Sequence, residues 1–214
     1  MAFCYPIILD LTSLPIVIVG GGQVALRKAV SLLDSGATAV RAVAPSFHPD
    51  FPGAVQQTRE LYRSEHLTEA RLVFAATDEA AINDQVVRDA HARGLLVNRV
   101  DHEGSAEGDF TVPAVHRDGS LIIAVATGHS PALSAELRNR LAQTLDPGWA
   151  RLAGFSEAIR PRIMAIPSLG QAERREMFRL LASEEAMQTA RDGDIDTLWN
   201  WLGTHHSHLG RALE

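Results

Sequence analysis

Apolar residues in the first hundred positions form short runs that alternate with longer segments of helical spacing. The run 16–19 (Ile-Val-Ile-Val) is continuous and β-branched, which is typical of a strand buried on both faces of a sheet. In the segment 24–33 the apolar residues recur at helical spacing, and Gly36 is placed to end the helix. Similar runs predict three more strands, at 40–44, 72–76 and 95–100. This alternation predicts an α/β fold with a Rossmann-type, doubly wound parallel sheet.

Two further elements in this part of the chain rest on weaker patterns. Leu61-Tyr62 indicates a short strand, the third along the chain. A helix is predicted from Asp78 to about Arg93, and Asp78 stands where the helix needs an N-cap. The Asp78 carboxylate is therefore expected to accept a hydrogen bond from the first helical turn.

After residue 110 the pattern changes from strand–helix alternation to a hairpin followed by helices. Predicted strands at 110–115 and 121–126 flank Asp118-Gly119, a dipeptide typical of hairpin turns. Ser130-Pro131 predicts a helix start, with Ser as the N-cap and Pro at the first helical position. The apolar stripe of that helix has a spacing of four, through Leu133, Leu137, Leu141 and Leu145. These changes divide the chain into predicted domains at 1–112, 113–147 and 148–214.

Composition narrows the class of protein. The 214 residues are 46% apolar and 21% charged, with a formal net charge of −6, which is an ordinary globular balance. An acidic balance is not typical of nucleic-acid binders, and no apolar run reaches the about 20 residues that span a bilayer. No basic stretch precedes the apolar run near the N-terminus. We therefore expect a cytoplasmic protein without a nucleic-acid or membrane partner.

The six residues Gly20-Gly21-Gly22-Gln23-Val24-Ala25 match the dinucleotide-binding pattern G-x-G-x-x-A. They directly follow a predicted strand and open a predicted helix, which is the context that this fingerprint requires. Gly20 would permit a tight turn, Gly22 would let the backbone approach a pyrophosphate, and Ala25 would allow close packing of helix on sheet. The six residues are therefore predicted to bind a dinucleotide at a helix N-terminus.

The residues alone do not distinguish NAD from NADP. NAD-binding folds commonly carry an acidic residue at the end of the second strand, where this chain has Val43-Ala44 followed by Pro45 and Ser46. Ser46 is placed to contact the ribose. Arg41 would suit a 2′-phosphate but lies inside the predicted strand.

Other candidate residues follow the later strands of the predicted sheet. Ligands of doubly wound sheets bind beyond the carboxyl ends of the strands. The predicted cofactor-lining residues there are Ala76, Thr77, Asp78 and Asn98. Asp101 follows the last strand and is predicted to be catalytic, as the base that takes a proton while a hydride leaves to the cofactor. His102 adjoins it and is a candidate to assist.

Histidines near the C-terminus raise the alternative of a metal site. His205, His206 and His208 lie close together, but a solvated tail is the preferred interpretation of such a cluster. No spacing in the chain resembles a structural zinc site. No metal ligand is therefore predicted.

Several short motifs together resemble one known family, over residues 5 to about 145. They are the glycine loop with Arg27-Lys28, then 75–78, 97–101, 109–114 and 126–133. On these motifs the chain resembles the precorrin-2 dehydrogenases, the dehydrogenase–ferrochelatase module also found in sirohaem synthases. The resemblance implies NAD-dependent oxidation of precorrin-2 to sirohydrochlorin, with Asp101 at the position of the family's proposed catalytic aspartate. Some members also insert Fe²⁺ or Co²⁺ into sirohydrochlorin, so metal insertion stays open.

The resemblance also implies roles for the three predicted domains. It implies an NAD-binding Rossmann domain at 1–112, an α+β dimerisation segment at 113–147 and a helical domain at 148–214, in a homodimer. The implied substrate is a polyanionic tetrapyrrole. Helix N-termini and Arg side chains can bind its carboxylates. Its predicted binding residues are His102, Ser130, Arg138 and Arg140. Two alternatives remain from the residues alone: another small NAD(P)-linked reductase, or a non-enzymatic module that senses NAD(H).

Overall fold

The structure is a computed structural model that describes residues 5–100, 107–128 and 130–205. The chain divides into two compact units, Met1–Val112 and Pro113–Glu214. The second unit contains both the predicted dimerisation segment and the predicted helical domain. No helix in the described ranges is long and apolar enough to cross a membrane.

The first unit is built on a parallel sheet. Its five described strands are β1 (Ile16–Val19), β2 (Val40–Val43), β3 (Gln56–Thr58), β4 (Leu72–Ala75) and β5 (Leu96–Arg99). They lie in the order β3-β2-β1-β4-β5, and every pair is parallel. The predicted Rossmann-type sheet is thus confirmed.

Among the described residues, one α-helix packs on each face of this sheet. Helix α1 (Gln23–Asp34) follows β1 and packs Ala25, Leu26 and Ala29 into the same core as Ile16 and Ile18. Helix α2 (Ala80–Ala92) follows β4 and contributes to the opposite core, which contains Val17 and Val19. All four residues of β1 are buried, because successive side chains enter different cores.

The predicted third strand at Leu61-Tyr62 is wrong. The third strand is β3, whose residues Gln56–Thr58 are polar and pair with β2 at the sheet edge. An edge strand has solvent on one side, so it needs no apolar run. Leu61 is exposed, and the Tyr62 hydroxyl donates a 3.0 Å hydrogen bond to Asp89 of α2.

The second unit begins with an antiparallel hairpin of β6 (Ala114–Asp118) and β7 (Leu121–Val125). The prediction of a strand from 110 is wrong for residues 110–113. Segment 108–110 lies instead against β5, where the Asp109 carboxylate accepts the Val97 N–H at 2.9 Å, and Pro113 has no N–H for a ladder. The turn is made by Gly119-Ser120, with Gly119 at φ +53°.

Five described helices complete the second unit. They are α3 (Pro131–Thr144), α4 (Gly148–Met164), α5 (Gln171–Leu180), α6 (Glu184–Asp192) and α7 (Ile195–His205). Helix α3 begins as predicted, because the Ser130 hydroxyl accepts the Leu133 N–H. Helices α4 to α7 enclose a core that includes Ile159, Met177 and Leu198.

Candidate functional site

The candidate site lies beyond the carboxyl ends of β1, β2 and β4. Strand order reverses at β1, since the chain continues to β2 on one side of it and later to β4 on the other. A crevice at such a reversal is where open α/β sheets bind ligands. Gly20 follows β1 and Ala76 follows β4, so the glycine loop and the β4–α2 loop meet at this point.

The three glycines of the loop are required for different reasons. Gly20 has φ +135°, and a Cβ there would lie 2.3 Å from the carbonyl oxygen of Ala76. A Cβ on Gly21 would lie 2.0 Å from the carbonyl oxygen of Ser46. A Cβ on Gly22 would have nothing within 4 Å, so the space beside this residue is open. The first two glycines allow close backbone contacts, and the third leaves room for a ligand.

The N-terminus of α1 faces this open space without a capping side chain. Gly22 is the N-cap residue, and the first helical turn has no acidic side chain. Its N–H groups and the helix dipole therefore favour an anion such as a pyrophosphate. Gln23 and Val24 are exposed there, whereas Ala25 is fully buried and lets the helix pack closely on the sheet. These features fit a dinucleotide.

The end of β2 borders the same loop. Pro45 and Ser46 are exposed, and the Gly21 carbonyl accepts a 2.7 Å hydrogen bond from the His48 N–H. The guanidinium carbon of Arg59 lies 5.4 Å from the ring centroid of Phe47. No carboxylate thus stands directly at the end of β2, where Ala44, Pro45 and Ser46 follow the strand, and the cationic Arg59 follows β3.

Asp78 does not cap α2, which corrects the expectation for this residue. The helix begins at Ala80, its N-cap residue is Glu79, and no side chain caps it. The turn before it is made by Thr77 instead, whose hydroxyl oxygen accepts the Glu79 N–H at 3.2 Å. Asp78 is exposed. Because the Thr77 hydroxyl organises the turn, the N-cap position falls at Glu79, one residue later than predicted.

Asn83 is a residue of this site that the sequence reasoning missed. It is fully buried on α2, and its amide makes three hydrogen bonds to Thr77. One signal was present in the sequence: Asn83 precedes Val86, Val87 and Ala90 at the spacing of a buried helical face. A polar residue within such a face usually has specific partners.

Asn98 lies on β5, next to Phe74 of β4 in the strand register. Its Nδ2 donates a 2.7 Å hydrogen bond to the Phe110 carbonyl, and its buried Oδ1 has no partner among the described residues. The Lys28 ammonium lies 6.0 Å from the Phe74 ring centroid, and burial lowers the pKa of Lys28. The Asn98 Oδ1 is thus a buried hydrogen-bond acceptor that no described residue uses.

The predicted catalytic residue Asp101 and its neighbour His102 lie outside the described residues, as do His206 and His208. His205 ends α7, where its ring stacks on Trp201 at 4.6 Å. Among the described residues no group of three His, Cys, Asp or Glu side chains could hold a metal ion.

The predicted substrate residues of the second unit do not share one face. The Ser130 hydroxyl is engaged as the cap of α3. Arg138 is partly buried and donates a 2.8 Å hydrogen bond to the Val115 carbonyl of the hairpin. Arg140 is exposed and forms a 2.7 Å ion pair with Glu136. Residues two apart on a helix point in different directions, so the two arginines are held in different environments.

Comparisons with known proteins agree with this geometry. The family model described as "Putative NAD(P)-binding" matches residues 7–114, which include the glycine loop and the whole parallel sheet. Among solved structures, "SirC, precorrin-2 dehydrogenase" has a TM-score of 0.73 and 21% sequence identity, and the match covers 94% of this chain and 100% of that chain. At that identity the likeness shows a shared fold.

Two curated relatives are both named "Siroheme synthase". The protein of Chromobacterium violaceum is 38% identical over 167 residues, and the match covers 75% of this chain and 35% of that protein. The protein of Acinetobacter baylyi is 38% identical over 168 residues, covering 75% of this chain and 36% of that protein. The chain thus matches about a third of the length of these relatives.

Proposed function

Because this chain belongs to the family described as putative NAD(P)-binding, we propose that its first unit binds NAD and that the protein oxidises precorrin-2 to sirohydrochlorin. The observation that carries the proposal is the open space at Gly22, beside the uncapped N-terminus of α1. The fold shared with a precorrin-2 dehydrogenase and the similarity to two siroheme synthases support the choice of substrate.

The residues of the chain have separable roles in this reaction. The α1 N–H groups beside Gly22 hold the pyrophosphate, and the backbone of Ala76 and Thr77 lines the crevice next to it. Asn98 offers its buried Oδ1 as a hydrogen-bond acceptor. Bound NAD supplies the acceptor for the hydride. Asp101 takes the proton that leaves the substrate as the hydride departs, which completes the loss of two hydrogens.

Substrate carboxylates need cationic or N–H donors. We assign this role to the four residues that the sequence analysis predicts for substrate binding, which are His102, Ser130, Arg138 and Arg140. The guanidinium of Arg138 donates to the Val115 carbonyl, and its buried Nε has no partner among the described residues. Arg140 would exchange its exposed Glu136 partner for a substrate carboxylate, a step of low cost because exposed ion pairs contribute little.

We also propose a homodimer through residues 113–147. In the described chain Leu133, Leu137 and Leu141 of α3 are 49%, 38% and 48% exposed, which leaves an apolar stripe on the second unit. A stripe of this kind is typical of a protein–protein interface. We expect the wild-type protein to have the mass of two chains in light scattering at micromolar concentration.

Leu137→Glu is expected to convert the protein to a monomer, because a carboxylate in an apolar interface loses its hydration. Asn139→Glu is the matched control, since it adds the same charge at an exposed position two residues along the same helix. A wild-type protein with the mass of one chain would contradict the dimer.

The test of the proposed reaction is NADH formation when the purified protein meets NAD⁺ and precorrin-2. A different NAD(P)-linked reductase would bind the dinucleotide without oxidising precorrin-2. A sensor module would bind it without turnover of any substrate.

A further inference from the structure

We infer that Asn83 is a positioning residue for the cofactor: it holds Thr77, and through Thr77 the β4–α2 loop, in the conformation that the dinucleotide contacts. The inference rests on the proposed binding of NAD at the glycine loop. Asn83 then belongs to the cofactor site, although it lies on α2 and contacts the loop through Thr77.

The Asn83 side chain holds three groups of Thr77 at once. Its Oδ1 accepts the Thr77 N–H at 3.1 Å and the Thr77 hydroxyl at 2.8 Å, and its Nδ2 donates to the Thr77 carbonyl at 3.0 Å. Asn83 is fully shielded from solvent, so water does not readily replace these bonds. A side-chain amide carries both an acceptor oxygen and a donor nitrogen, so it can bond the N–H and the carbonyl of the same residue.

The loop that Asn83 holds is in direct contact with the glycine loop. The Ala76 N–H donates a 2.8 Å hydrogen bond to the Val19 carbonyl. A Cβ on Gly20 would lie 2.3 Å from the Ala76 carbonyl oxygen and 3.2 Å from the Thr77 nitrogen. A displacement of Thr77 would therefore change the wall of the crevice beside the pyrophosphate position.

A purely structural role for Asn83 makes a different prediction. If the amide only stabilised the start of α2, its removal would lower the melting temperature and leave NAD affinity unchanged. Val87 provides the comparison, because it is fully buried on the same helix and belongs to the core rather than to the loop contact. Val87→Ala removes packing without removing a bond to Thr77.

The first experiment measures NAD binding calorimetrically for wild type, Asn83→Ala and Val87→Ala, well below each melting temperature. We expect Asn83→Ala to weaken NAD binding by about tenfold or more, as for other small displacements of a positioned group. Val87→Ala should bind NAD as the wild type does, even though it melts earlier. With precorrin-2, Asn83→Ala should raise KM for NAD more than it lowers kcat at saturating NAD.

A second variant, Asn83→Asp, tests the hydrogen-bond pattern through pH. An ionised carboxylate accepts from the Thr77 N–H but faces the Thr77 carbonyl oxygen without a proton to share. The protonated carboxyl restores the donor, and burial raises the pKa of such a group. We expect NAD affinity of Asn83→Asp, relative to wild type at the same pH, to recover as the pH falls.

The outcomes separate this inference from the proposed function. Wild-type protein that does not bind NAD would overturn the proposed function. Wild-type protein that binds NAD, with Asn83→Ala binding equally well, would overturn the positioning role alone. If Asn83→Ala fails to fold, the pH dependence of Asn83→Asp decides, and a constant ratio to wild type would overturn the role.

Discussion

Gly22→Asp is expected to weaken NAD binding by roughly a thousandfold. The new carboxylate would lie at the N-terminus of α1, where a pyrophosphate is expected. Two like charges about 4 Å apart near a protein surface repel by about 4 kcal/mol, which corresponds to about 10³ in Kd. The fold should survive, because nothing lies within 4 Å of a Cβ at Gly22. Titration calorimetry with NAD measures the effect.

Gly53→Asp is the matched control for this charge. Gly53 also has nothing within 4 Å of a Cβ position, and it lies outside the glycine loop. The control should melt and bind NAD as the wild type does. NAD affinity of Gly22→Asp within about twofold of wild type would show that the glycine loop does not hold the pyrophosphate.

Asp101→Asn is expected to lower kcat of precorrin-2 oxidation at least tenfold, while NAD affinity stays near wild type. The amide keeps the shape of the carboxylate but cannot take the proton, and loss of a general base typically costs about 10² to 10⁴ in rate. Single-turnover NADH formation, with NAD saturating, isolates the chemical step.

Asp34→Asn serves as the control for this substitution, since Asp34 is an exposed carboxylate at the end of α1, away from the glycine loop. It should turn over as the wild type does. If Asp101→Asn forms NADH at the wild-type rate, Asp101 is not the base, and His102 or solvent takes the proton.

The glycine loop and its setting were predictable because their causes are local. A β-branched run of four residues predicts β1, and three glycines followed by an apolar helical pattern predict the turn into α1. Both elements have the predicted positions within a residue or two. The start of α3 was predictable for the same reason, since Ser130 and Pro131 act on the turn next to them.

The third strand was not predictable from apolar runs, because its stability comes from a neighbour. Residues Gln56–Thr58 carry no strand pattern of their own, and they pair with β2 at the sheet edge. The third strand is predicted at Leu61-Tyr62 instead, because these two residues form the apolar run in this part of the chain. Strand pairing over a gap in sequence is a tertiary property, which a local pattern does not contain.

The β4–α2 loop shows the same limit within the candidate site. Asp78 has the residue type of an N-cap, and the Thr77 hydroxyl makes the turn in its place. Thr77 is in turn hydrogen-bonded by Asn83, six residues further along the chain on α2. A buried polar residue in an apolar helical face was the available signal.

The most direct test of the proposed reaction is to mix purified protein anaerobically with NAD⁺ and precorrin-2. The absorbance of NADH and of sirohydrochlorin is then recorded over time. We predict one NADH for each sirohydrochlorin formed, with turnover lost in Gly22→Asp and retained in Gly53→Asp. NAD binding without any NADH or sirohydrochlorin formation would contradict the proposed oxidation and would favour a module that only senses the dinucleotide.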